Sequence, residues 1–186
     1  IYSLEFRASH KKPYNPMLFN KAYQLAKKYN RIDDINDVEH NRVLFFMSQH
    51  QYDSAMIYIL RYQDNVPKEE QGEGNREINN LLGDIYYNAG IYNKATDVYS
   101  ELLEQYEKED NWNYFRPYVM MNNLGQISLL LNNTREAKAW FTRSLKLAEE
   151  RLTTNYRHNT IGYIKIRLAE TDLKLGDLDA AEQLLN

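Results

Sequence analysis

The chain contains 186 residues, of which 43% are hydrophobic and 26% are charged, a balance that supports a packed core and argues against disorder. Its formal net charge of -3 argues against a general nucleic-acid binder, which would carry an excess of basic residues. Cysteine is absent, which excludes disulfides, thiolate metal sites and a cysteine nucleophile. No apolar run approaches the ~20 residues that a membrane span needs.

Apolar residues recur at three- and four-residue steps, which predicts α-helices and no strand. In chain order the predicted helices cover residues 17–30, 34–49, 53–64, 76–89, 92–108, 115–131, 134–152, 156–175 and 178–186. A further helix over 1–12 would end at Pro13 and Pro16. The polar segment 64–75 is predicted to be a loop, and 111–116 to be a connector.

Several residues indicate where helices begin and end. Gly90 and Gly176 fall between two helical patterns, where a positive φ is useful. Asn133 and Asp177 precede helices and are natural N-caps. The acidic residues 33–34 suit the first turn of a helix, because negative charge is favourable near a helix N-terminus.

A pattern of small and large residues repeats along the chain. Leu82-Gly83-x-x-Tyr86 and Ala95-x-x-x-Tyr99 recur 42 residues later as Leu124-Gly125 and Ala137-x-x-x-Phe141. Further copies are less complete and consist of Ala22 with Ala26, Ala55 with Ile59, and Leu168-Ala169 with Ala181 and Leu185. The small residues would allow two helices to approach closely, and the large ones would fill the space around the crossing.

These motifs resemble the tetratricopeptide repeat family, although Asp172 replaces the expected tyrosine in the last copy. The resemblance implies an all-α, right-handed superhelical solenoid of antiparallel helix pairs. One domain, 1–186, would hold four to five repeats over about 1–31, 34–64, 76–110, 115–152 and 156–186, the last of them incomplete. The usual repeat has 34 residues. Copies 40 to 44 residues apart are therefore lengthened, and they resemble those of kinesin light chains and of bacterial peptide-sensing regulators.

Little in the sequence indicates catalysis. The four histidines (His10, His40, His50 and His158) have no metal-ligand spacing and are best explained as solvated helix residues. The acidic cluster near residues 33–39 lacks the glycine and terminal glutamate of a calcium loop. There is no phosphate-binding loop and no nucleophile elbow. We therefore expect no enzyme activity, no cofactor and no metal.

The resemblance implies that binding occurs on a concave face formed by the first helix of each pair. The residues expected on this face are Asn80, Asp84, Tyr87, Asn88, Asn122, Asn123, Gln126, Arg167 and Glu170. Amide side chains both donate and accept hydrogen bonds, which suits an extended peptide backbone; alternatively they are solvated or stabilise turns. Arg167 and Lys174 are the only basic groove positions, too few to favour recognition of an acidic C-terminus. Tyr87, Tyr114 and Tyr118 are candidate exposed anchors.

The functional hypothesis is a protein- or peptide-binding scaffold, the ligand-sensing or interaction region of a larger bacterial regulatory protein. We expect a larger protein because the sequence starts at Ile1 and stops within a helical pattern. The alternative is a structural scaffold that self-associates through its last, uncapped repeat. The compartment stays open between periplasm and cytoplasm, since a chain without cysteine suits both.

Overall fold

The computed structural model describes residues 16–66, 71–110, 112, 116–153 and 155–185. Over these residues the chain forms nine α-helices and no strand, which confirms the all-α prediction. In chain order they are α1 (Pro16–Lys28), α2 (Ile32–Ser48), α3 (Tyr52–Asn65), α4 (Gln71–Asn88), α5 (Tyr92–Lys108), α6 (Arg116–Leu130), α7 (Thr134–Arg151), α8 (Arg157–Leu175) and α9 (Leu178–Leu185).

The predicted helix bounds agree with the structure to within two residues, except at the start of α4. This helix begins at Gln71 instead of residue 76, so the second part of the predicted loop 64–75 is wrong. A glycine in a helix costs only about 1 kcal/mol, and the amphipathic residues that follow can offset Gly72 and Gly74. The predicted helix over 1–12 lies outside the described residues.

The chain divides into two compact units, residues 1–81 and 82–186, with the boundary inside α4. In the first unit the buried apolar residues include Val43, Ala55, Ile59 and Ile78. The second unit has one core cluster around Tyr99 and Met121. Another centres on Phe141, Ala148 and Ile164.

Five of the turns between helices share one geometry. In each, a residue with positive φ follows the helix, at Asn30, His50, Gly90, Asn132 and Gly176. The next residue then donates its N–H to the carbonyl five positions earlier, for example Ile91 to Tyr86 and Asp177 to Asp172, both at 2.9 Å. This is the Schellman arrangement, which satisfies carbonyls at a helix end. Gly90 and Gly176 have the predicted positive φ.

Close helix contacts occur at two of the repeat glycines. A Cβ atom on Gly83 would lie 2.6 Å from Cε1 of Tyr99, and one on Gly125 would lie 2.5 Å from Cε1 of Phe141. Real Cβ atoms essentially never approach so closely. The predicted pairing of small and large residues across the helix crossings is therefore confirmed at both positions.

The two predicted N-caps differ in their side-chain contacts. Asp177 accepts a hydrogen bond from the backbone N–H of Ala180 at 3.1 Å, as a cap should. Asn133 occupies the N-cap position of α7, but its side chain makes no capping hydrogen bond. Its amide nitrogen instead contacts the carboxylate of Glu136 at 3.4 Å. The acidic residues 33–34 lie in the first turn of α2, as predicted.

Asp172 departs from the repeat pattern and is fully buried in α8. Its carboxylate lies 2.7 Å from Nζ of Lys138 on α7. This hydrogen bond raises the pKa of Lys138, because it stabilises the charged ammonium. An ion pair between the buried Asp172 and the partly exposed Lys138 thus links α7 and α8 where the family pattern would place a large side chain.

Candidate functional site

Two polar residues predicted on the binding face, Asp84 on α4 and Asn123 on α6, belong to a hydrogen-bond network around Tyr99. The Tyr99 hydroxyl donates to Oδ1 of Asp84 at 2.8 Å and accepts from Nδ2 of Asn123 at 2.9 Å. Nη1 of Arg116 lies 3.0 Å from Oδ2 of the same aspartate. Residues from α4, α5 and α6 are therefore joined through one buried phenol.

Burial raises the pKa of Tyr99 well above its usual range, and the neighbouring Asp84 carboxylate raises it further. The Tyr99 phenol therefore stays neutral and donates a hydrogen bond to the Asp84 carboxylate. Both Asp84 and Asn123 are half-buried and partnered within the second unit. Sequence reasoning missed Arg116, although its place at the start of a helix, just before Pro117, was visible.

The charge state of Tyr87 on α4 is coupled to residues of α8. Burial raises the pKa of Tyr87, Tyr163 raises it further, and Arg167 lowers it. Nε of Arg167 donates to the Tyr163 hydroxyl at 3.2 Å, and its guanidinium carbon lies 5.1 Å from the ring centroid. Nη1 of Arg167 donates to Glu170 at 2.9 Å. Tyr163, which was not predicted, lies one helical turn before Arg167.

The exposed part of this surface carries both polar and apolar side chains. Asn88 and Glu170 are exposed, as are the apolar side chains of Ile166 and Leu173. Nδ2 of Asn88 donates to the Asp84 carbonyl at 2.6 Å. Gln126 is half-buried, and within the described part of the chain its side-chain nitrogen has no hydrogen-bond partner.

Two predicted face residues and one predicted anchor are not exposed. Asn80 and Asn122 retain only 3% and 5% of their surface, so their expected exposure is wrong. Asn122 donates instead to the carbonyl of Tyr118, one turn earlier in α6, at 2.8 Å. Tyr118 is completely buried and donates to the Trp112 carbonyl, so it cannot be a surface anchor. Tyr114 lies outside the described residues.

Among the residues that the structure describes, no three His, Cys, Asp or Glu side chains are grouped so as to hold a metal ion. His40 approaches Glu77 at 3.4 Å, and Nδ1 of His50 lies 2.8 Å from the Tyr52 hydroxyl. In the same described part, no helix is both long enough and apolar enough to cross a membrane.

Residues 118–151, which span almost all of α6 and α7, match the sequence model of the tetratricopeptide repeat. The fold is similar to that of BtubC (BKLC) from P. vanneervenii, with a TM-score of 0.72 and 18% identity over 90% of this chain and 70% of that one. It is also similar to a Podosopora anserina protein described as a kinesin light chain with nearly identical TPR-like repeats. That TM-score is 0.68, with 14% identity over 91% and 81% of the two chains.

The chain thus contains a tetratricopeptide repeat over residues 118–151, within a fold that is similar to that of TPR-like repeat proteins. Helical repeats of this kind stack into extended surfaces and generally serve as scaffolds for protein interactions. The second of these structures shares the fold of this chain.

Two curated proteins match parts of the chain. The protein O-mannosyl-transferase tmtc2 of Xenopus laevis is 34% identical over 65 residues, which is 35% of this chain and 7% of that protein. Human TMTC2 is 25% identical over 101 residues, or 53% of this chain and 12% of that protein. The chain thus spans only a small fraction of the length of these relatives.

Proposed function

We propose that the chain binds proteins or peptides, and that the second unit receives an extended segment of the partner along α4, α6 and α8. The observation that carries this proposal is the pairing of Arg167 with Tyr163 on α8, in which the guanidinium donates to the phenol at 3.2 Å and lies 5.1 Å from the ring centroid. Tyrosine and arginine are enriched among residues that dominate binding energy. The predicted face residues Asn88, Gln126 and Glu170 accompany this group.

The chemistry of this surface favours a peptide with aromatic or apolar side chains over one that depends on charge. Arg167 is already paired with Glu170, so the two charges largely cancel. Gln126 can donate to a backbone carbonyl once its half-buried amide turns towards a ligand. Ile166 and Leu173 offer apolar contact surface on the same helix.

The test compares peptide binding by two matched double variants. Peptides are selected from a random library on the full chain, and their affinities are measured by fluorescence polarisation. Tyr163→Ala/Arg167→Ala should weaken binding at least tenfold, or about 1.4 kcal/mol. Thr142→Ala/Lys146→Ala changes two exposed residues of α7 and should leave the affinity unchanged. Equal affinity for both variants would contradict the proposed surface.

We also propose, on the length of the repeats alone, that the segment serves as the sensing or interaction region of a larger bacterial regulatory protein. A selected peptide should then alter the activity of the intact gene product, and no effect would count against this role. The tetratricopeptide fold is typically a non-catalytic scaffold. We propose no catalysis by these residues, and the transferase activity in the name of TMTC2 belongs to that much longer protein.

The alternative is self-association. Leu178 and Leu185 on α9 are exposed, and apolar side chains on a terminal helix can pack on a second copy. Light scattering over a concentration series distinguishes the two functions. A monomer at high concentration argues against self-association, whereas a dimer that Leu178→Ser/Leu185→Ser abolishes supports it.

A further inference from the structure

A cleft of about 350 Å³ lies in the first unit between α1, α2 and α3. This volume is at the small end of the range for ligand pockets. Three of the lining side chains carry amides, namely Asn20, Gln24 and Asn65. The cleft is separate from the surface discussed above, because every residue that lines it belongs to the first unit.

One wall of the cleft is a rigidly held guanidinium. The Arg42 side chain is only 4% exposed, and its Nη1 donates to both oxygens of Glu39 at 3.1 and 3.2 Å. Nη2 donates to Oδ1 of Asn20 at 2.9 Å. The guanidinium carbon lies 5.3 Å from the ring centroid of Tyr23 and 5.1 Å from that of Tyr58. The hydrogen bonds to Glu39 and Asn20 hold the Arg42 guanidinium in place.

Arg42 retains hydrogen-bonding capacity. A guanidinium has five N–H donors, and the Nε–H has no acceptor among the described residues. The guanidinium carbon of Arg61 also lies 5.1 Å from the Tyr58 ring centroid. Both guanidinium groups therefore lie against the same tyrosine ring.

Arg61 and Asp64 line the cleft with opposite charges that do not pair. Neither side chain lies within 4.0 Å of an oppositely charged group in the described part of the chain. Other pairs three residues apart do close in that part, namely Arg31 with Asp34, Glu39 with Arg42, and Arg167 with Glu170, at 2.9, 3.1 and 2.9 Å. Arg61 instead stacks over Tyr58, so the cleft carries one positive and one negative charge that form no ion pair within the described residues.

We propose that this cleft binds a small zwitterion of the amino-acid or dipeptide class. Its carboxylate would bind Arg61, with Arg42 behind it, and its ammonium group would bind Asp64. The amides of Asn20, Gln24 and Asn65 would bind the peptide group, since they both donate and accept hydrogen bonds. Neither a simple anion nor a simple cation satisfies the site, because each would leave one of the two unpaired charges without a partner.

The test is calorimetric titration of the full chain with L-alanyl-L-alanine, its N-acetyl derivative and its C-terminal amide. We expect saturable one-to-one binding of the dipeptide and at least tenfold weaker binding of each capped form. Arg61→Gln should lose the preference for the free carboxylate, and Asp64→Asn the preference for the free ammonium. The control Arg31→Gln/Asp34→Asn removes an exposed pair from the same unit and should bind like the wild type.

Three results would overturn the proposal. These are the absence of saturable dipeptide binding, unchanged dipeptide affinity in both Arg61→Gln and Asp64→Asn, and binding of inorganic phosphate in place of the dipeptide. The proposal does not rest on the function proposed for the second unit. Tyr163→Ala/Arg167→Ala should therefore bind the dipeptide with wild-type affinity, so the two proposals can fail separately.

Discussion

The positive-φ residues of the five Schellman turns differ in backbone strain. Glycine adopts this conformation freely, asparagine tolerates it, and most other residues incur about 1–2 kcal/mol. His50, with a φ of 57°, is the only member that is neither glycine nor asparagine. Its hydrogen bond with Tyr52 offsets part of that strain. The frequent asparagine in this chain is thus partly explained by turns, as at Asn30 and Asn132.

His50→Gly should stabilise the protein by about 0.5–1 kcal/mol, because it removes the strain of a left-handed histidine. Gly90→Ala is the matched opposite change. An added Cβ there meets nothing within 4 Å, so its expected loss of about 1 kcal/mol reflects φ alone. Urea unfolding monitored by circular dichroism measures both. A loss of stability in His50→Gly would mean that the contact with Tyr52 outweighs the strain.

Buried tyrosines make the fold sensitive to alkaline pH. Burial raises the pKa of Tyr118 to about 12, whereas an unfolded tyrosine ionises near pH 10. The unfolded state therefore loses its proton first as the pH rises. The stability contributed by this group is complete below pH 10 and falls by about 2–3 kcal/mol towards pH 12.

Tyr118→Phe should be less stable than the wild type at pH 7 by about 1 kcal/mol, because the hydrogen bond to Trp112 is lost. Its loss of stability between pH 10 and 11 should nevertheless be smaller than that of the wild type. Urea titrations at pH 7, 10 and 11 give this difference. Tyr29→Phe, at an exposed position, is the control. Parallel pH profiles for Tyr118→Phe and the wild type would refute the assignment.

Glycines at helix crossings allow neighbouring helices to approach closely. Gly125→Ala would place a Cβ 2.5 Å from Phe141, a fully buried ring that cannot move freely, so it should destabilise by about 1–3 kcal/mol. Gly162→Ala lies in α8 with nothing within 4 Å, and it should stabilise by about 0.5–1 kcal/mol through helix propensity. Thermal unfolding compares the two directly. The crossing explanation would fail if both substitutions had the same sign.

The helices and their crossings could be predicted because the sequence patterns that mark them each span a short stretch of the chain. Gly125, Ala137 and Phe141 mark a crossing through spacing that repeats along the chain. The exposure of individual amides was harder to predict, since a short side chain can turn back onto its own helix, as Asn122 does to the Tyr118 carbonyl. In the last copy, the buried Asp172 replaces the expected tyrosine and pairs with Lys138 on another helix, a contact that no spacing along the chain predicts.

At the scale of the whole molecule, the candidate sites depend on distant residues that no spacing rule brings together. Asp84 and Arg116 are 32 positions apart, and Asn20 and Arg42 are 22 apart, yet both pairs make direct hydrogen bonds. The repeat pattern fixed which helices follow one another. It contained no information about how Arg61 and Asp64 are oriented, which depends on the stacking of Arg61 over Tyr58.

Repeat proteins gain stability from local units and from their interfaces, so parts of the array can unfold separately. Both tryptophans, Trp112 and Trp140, lie in the second unit and report on it alone, whereas circular dichroism reports on all helices. Glu39→Ala leaves the buried Arg42 without its carboxylate, a change that should cost roughly 3 kcal/mol in the first unit.

The expected outcome for Glu39→Ala is a circular dichroism transition that begins at lower urea concentration and broadens, while the tryptophan fluorescence transition shifts much less. Glu101→Ala, which removes an exposed carboxylate from α5, is the control and should leave both curves in place. Coincident shifts of the two signals in Glu39→Ala would instead show a single cooperative fold. In that case the two units would unfold together despite their separate packing, and Glu39→Ala would lower the free energy of unfolding of the entire chain.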